Sequence, residues 1–173
     1  ELKTDQLTAM VRSLAFFREM FATRKLVYFW ILAFVWNLFS VAVMYRPGFL
    51  AERYKTSSTD YLEYSFVAAL ATAVFFQIVA KKSSAERMQL GSLPFLSALT
   101  ATQLTSLLLS VAAPGFFVAA ITGAVCNMLW DLVFLSMTIA VQQLAGNERQ
   151  GEFFSLYSFV QRLAAIIALV ISV

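Results

Sequence analysis

The sequence predicts an all-α polytopic membrane protein, and three observations carry that prediction. Hydrophobic residues make up 60% of the chain and charged residues 13%, against roughly 45–50% and 25% in an ordinary soluble domain. The apolar residues gather into runs of about 20, the length a helix needs to cross the hydrocarbon core. Short polar turns bearing Lys, Arg, Pro or Gly separate those runs.

Residues 5–23 place Leu7, Met10, Val11, Leu14, Phe17 and Phe21 at the spacing of one helical face, with Lys3, Arg12 and Glu19 elsewhere. This predicts an amphipathic cytoplasmic or interfacial linker helix within 1–23, and a helix lying on a membrane and a connector packed on a bundle would share the pattern. The transmembrane bundle takes 24–173. Its first span, 26–45, is interrupted only by Asn37 and Ser40, with Trp30 and Tyr45 where interfacial aromatics are expected. Arg46, Pro47 and Gly48 are then read as opening a polar loop to Asp60. The second span, 61–80, stops at Lys81 and Lys82. The third, 94–111, starts on Pro94, whose missing N–H costs nothing in a first helical turn. Pro114 and Gly115 turn the chain into a fourth span, 116–143, and residues 145–152 turn it into a fifth, 153–173. The fifth run is still apolar at Val173, so a sixth span is the expected continuation and the sequence reads as part of a longer chain.

Lys3, Arg12, Arg18, Arg24, Lys25, Lys81, Lys82, Arg87 and Arg149 fall on one side of this arrangement, against Arg46, Arg53 and Lys55 on the other. The excess of basic residues predicts a cytoplasmic N-terminus. The chain lacks histidine and has one cysteine, Cys126, so His-based triads, His or Cys metal clusters and an intrachain disulfide are excluded, and Cys126 reads as a small hydrophobe. No phosphate loop or nucleophile elbow is present, so neither catalysis, a cofactor nor a metal is expected. The net charge of +3 is spread along the chain, which argues against nucleic acid as a partner.

Asp131 and Arg162 stand out because each interrupts an apolar span. Helical rise puts them roughly 18 and 14 Å from the cytoplasmic ends of consecutive helices, and an Asp131–Arg162 pair would neutralise both. Charges at such depth usually face a cavity or a partner. Gly115, Ala119, Gly123 and Asn127 recur at steps of four and let a neighbouring backbone approach. Asn37, Gln103, Asn127 and Ser158 are further cavity candidates; interhelical hydrogen bonds would account for Asn37 and Gln103 equally well.

The segment ERQGEFFSLYSFVQRL, Glu148 to Leu163, resembles the eleventh-helix region of the glycoside–pentoside–hexuronide cation symporters, a branch of the major facilitator superfamily. The acidic-basic pair, the glycine, the aromatic helix start and a Phe-x-Gln-Lys-like segment follow in that order, with Arg162 where the family has a cavity-facing lysine. The resemblance implies that the five spans are helices seven to eleven of a twelve-helix carrier. It also implies symport of a small solute with a cation. A second class of function stays open: a membrane scaffold or assembly subunit with a carrier-like fold that binds a lipid, a pigment or a partner's transmembrane surface.

Overall fold

The computed structural model describes residues 15–80 and 89–172, and everything described is helix, turn or loop. Five long helices run in the order α1 Arg24–Tyr54, α2 Ser58–Ala80, α3 Leu93–Ala112, α4 Phe116–Ala145 and α5 Gln150–Ser172. Four of them, α1, α3, α4 and α5, are long and apolar enough to cross a membrane, which makes the chain a multi-pass membrane protein. Of the linker helix, residues 15–20 are helical; Leu7, Met10, Val11 and Leu14 lie outside the described residues.

Local chemistry fixes the helix ends. Thr23 caps α1 from an extended conformation, its hydroxyl accepting from the Leu26 N–H at 3.3 Å. At the start of α2 the Ser57 hydroxyl accepts from the Asp60 N–H at 3.2 Å. Pro94 occupies the first turn of α3, as its sequence position predicts. The turn into α5 uses Gly146 at φ 63°, a conformation that only glycine adopts without strain.

The first helix departs from the expectation. It does not end at Tyr45 but runs on through Arg46, Pro47 and Gly48 to Tyr54, where Lys55 closes it in the left-handed region with its N–H bonded to the Ala51 carbonyl. Proline removes one helical hydrogen bond and kinks a helix, but membrane helices tolerate it where neighbouring helices re-satisfy the backbone. Here the extension is held from outside: Arg53 Nη1 donates to the Val111 carbonyl and the Tyr54 hydroxyl to the Ala113 carbonyl. Both acceptors lie at the α3–α4 turn.

Cross-contacts set the helix directions. Tyr28 meets Ser97, Trp36 meets Gln103 and Tyr54 meets Ala113, so α1 and α3 run parallel. Trp36 also meets Trp130 and Phe134, while Arg46 meets Asn127, so α4 is antiparallel to α1. The most extensive packing is between α3 and α4, followed by α1 with α5, while α2 leans on α4. At one end Phe29, Trp30, Ala33 and Trp36 interlock with Val133, Met137, Phe153, Leu156 and Tyr157; toward the other, Val43 packs with Leu107 and Cys126, and Leu50 with Ala113 and Ala119. Trp30 is therefore a core residue rather than an interfacial one, and its indole N–H donates to the Met20 carbonyl at 3.0 Å. That bond docks the short N-terminal helix on the bundle.

Candidate functional site

Most hydroxyls on α3 are spent within their own helix. Ser97, Thr100 and Ser106 each donate to the carbonyl four residues back, and Ser110 to the one three back. The Gln103 amide instead reaches another helix: its Oε1 accepts from the Trp36 indole at 2.7 Å, with both side chains buried. On α1, Asn37 Nδ2 donates to the Ala33 carbonyl and the Ser40 hydroxyl to the Asn37 carbonyl. Asn37 lies next to Tyr157 of α5. Ser136 Oγ and Trp130 Nε1 are buried without a hydrogen-bond partner among the described residues, and the Tyr157 hydroxyl has only Asn37 beside it. An orphaned polar atom inside a bundle is costly, so these few groups on α1, α4 and α5 stand out within an otherwise apolar core.

The structure corrects the pairing of Asp131 with Arg162. Among the described residues the ion pairs are Arg149 with Glu19 at 2.7 Å and Arg149 with Glu152 at 2.8 Å; Asp131 and Arg162 form none. The reason lies in the packing of α5, which rests chiefly on α1 and only lightly on α4. Phe153, Leu156, Tyr157, Val160 and Ala164 form its buried face. Ser155, Ser158 and Arg162 are exposed on the opposite one, since at 100° per residue Arg162 stands across the helix from that core stripe. Asp131, at the middle of α4, is half-buried. Asp131→Asn and Arg162→Gln are accordingly expected to act independently: in an unfolding titration in mild detergent the double variant should match the sum of the singles within about 0.5 kcal/mol. A clearly larger coupling would show that the two charges pair after all.

Arg162 lies twelve residues into α5, roughly 18 Å along the helix from Gln150. That distance exceeds what an arginine side chain spans by snorkelling. An arginine left at the bilayer centre costs on the order of 2.5–3.5 kcal/mol on insertion scales, so its exposure on this bundle calls for water or a second protein surface beside it.

Arg46, assigned by sequence to a polar loop, is the buried cation. Only 7% of it is exposed. Its Nη2 donates to Asn127 Oδ1 at 3.0 Å, whereas Nη1 is buried with no partner among the described residues. The guanidinium lies over Gly123, where an added Cβ would sit 3.2 Å from Cζ, and its charge reaches Cys126. The stripe of small residues on α4 thus has a specific occupant: Ala119 packs under Leu50, Gly123 lies under Arg46 and Asn127 receives its hydrogen bond. Sequence reasoning found the stripe but missed what crosses it, because Arg-Pro-Gly reads as a turn. Tyr157 was also missed, for it looks like one more aromatic in an apolar run.

Arg149 makes the remaining polar cluster, outside the spans. It bridges Glu152 and Glu19 and lies 5.7 Å from the centre of the Phe16 ring. The hydrogen bonds to Glu152 and Glu19 hold its pKa above the ordinary arginine value, and the contact joins the N-terminal helix to the α4–α5 turn. Among the described residues no group of three His, Cys, Asp or Glu could hold a metal ion. Comparison with protein-family models, with curated proteins and with solved structures finds no match for this chain.

Proposed function

We propose that this chain is part of a secondary carrier of the major facilitator type, related to the cation symporters that its α4–α5 turn resembles. In this reading α2 is a fifth span, the N-terminus is cytoplasmic, and the bundle rocks against a second bundle around a midplane site, taking a small polar solute across together with a coupling cation. The observation that supports this most is the placement of Arg162. It is a permanent charge roughly 18 Å into α5 from Gln150, carried with Ser155 and Ser158 on the face turned away from the packed core. Ionisable residues at that depth mark substrate and ion pathways.

Cysteine accessibility tests the proposal. In a Cys126→Ala background, a cysteine introduced by Ser158→Cys in the reconstituted protein should react with a membrane-impermeant thiol reagent, and the transported solute should slow that reaction. Absence of labelling from both sides of the membrane would contradict a carrier. It would favour a scaffold whose α5 is sealed against the transmembrane surface of a partner.

A further inference from the structure

The bundle holds a second cation that the pathway through Arg162 does not use. Arg46 is more than nine-tenths buried between α1 and α4, its Nη2 bonded to the neutral Asn127 and its Nη1 unbonded. Among the described residues no carboxylate lies within ion-pairing distance of it. A guanidinium has no acceptor function and cannot shed its charge at accessible pH, and its neutral neighbours Asn127 and Cys126 leave that charge unbalanced, which an anion would offset. We infer that Arg46 and Asn127 form a binding site for an oxyanion, the carboxylate or phosphate group of a small molecule or lipid, seated on the free edge of the guanidinium.

Three features make this a built site. Gly123 leaves the guanidinium lying directly on the α4 backbone, with no Cβ beneath it, so the planar group is held flat by the helix it rests on. Asn127 fixes its orientation through Nη2, which leaves Nη1 aimed elsewhere with its donor capacity intact. Pro47 and Gly48 follow immediately in α1; the missing proline N–H weakens the helix at this level. Arg53 and Tyr54 pin the end of α1 beyond this point, so an oxyanion would reach Nη1 as those bonds open. Arginine's planar fork matches the two oxygens of a carboxylate or phosphate, which makes an oxyanion a better occupant than chloride.

The test uses the purified full-length protein in nanodiscs of phosphatidylcholine, titrated at constant ionic strength with sodium acetate or sodium phosphate against sodium chloride. A parallel arm replaces part of the phosphatidylcholine by phosphatidylglycerol with no added oxyanion. The thermal midpoint should rise by about 2–4 °C with at least one oxyanion source over chloride. A rise with acetate or phosphate identifies a soluble ligand, and a rise with phosphatidylglycerol alone identifies a lipid headgroup. Arg46→Met should abolish the rise. If that variant does not fold, Arg46→Lys, which keeps the charge and loses the fork, should reduce it at least twofold. No rise from any source, or a rise that survives these substitutions unchanged, overturns the site. The readout does not depend on transport, so failure here leaves the carrier proposal standing and failure of the carrier leaves this site standing.

Discussion

Replacing Trp36 by alanine will destabilise the bundle by about 3–5 kcal/mol, the usual cost of truncating a buried large aromatic. The side chain is 2% exposed and stands where three helices meet. Its ring lies 6.5 Å from that of Trp130 and 6.4 Å from that of Phe134 on α4, and its indole donates to Gln103 on α3. Truncation opens a cavity and also strands Gln103 Oε1, itself 2% exposed, which adds to the loss because a buried acceptor left unpaired costs about 1–3 kcal/mol. The two contributions separate experimentally. Trp36→Phe keeps most of the volume and loses the hydrogen bond, so it should cost about 1–3 kcal/mol alone. Combining it with Gln103→Leu removes both partners, and the double variant should be less destabilised than the sum of the singles. Reversible unfolding in mixed detergent micelles reads all four proteins; strict additivity would show that the 2.7 Å contact carries no coupling energy.

If the chain is the carrier proposed above, Arg162→Ala will leave the fold intact and sharply lower transport. The side chain is exposed and forms no ion pair among the described residues, so its removal should change unfolding free energy by no more than about 0.5 kcal/mol, as for other exposed positions without a structural partner. If Arg162 holds the solute, losing a desolvated charged contact costs about 2 kcal/mol or more, and uptake into proteoliposomes should fall by about 30-fold or more. Arg162→Lys keeps the charge but not the planar fork and should recover only part of the rate. A variant that unfolds would show that Arg162 is structural, and one that transports normally would place the pathway elsewhere. Ser155→Ala on the same face gives the matched comparison, with a smaller loss expected because a hydroxyl makes a weaker contact than a guanidinium.

Much of the architecture was legible because hydropathy reports depth. Runs of apolar residues located α3, α4 and α5 to within a few residues, Pro94 marked the start of α3, and the turn around Gly146 lay where the polar residues placed it. Asp131 and Arg162 each lie well inside a long apolar helix, as their sequence positions predict. Their pairing did not follow. Two consecutive helices share a turn without having to share their polar faces, and α5 turns its apolar stripe to α1.

The sequence by itself therefore determined an all-helical membrane chain, the position of most helices along it, and the stripe of small residues on α4. Only the tertiary structure decided the rotation of each helix about its axis, and with it the fate of every charge in the spans. Arg162 faces out, Asp131 is half-buried, and Arg46 is drawn inward to Asn127 by a helix that continues through its proline. The physical reason is that burial in a bilayer depends on how many apolar residues precede and follow a position, which a linear sequence displays. Contact between helices depends on which side of a cylinder meets which neighbour, and that is set by the packing of Trp36, Gly123 and Tyr157 against residues far away in the chain.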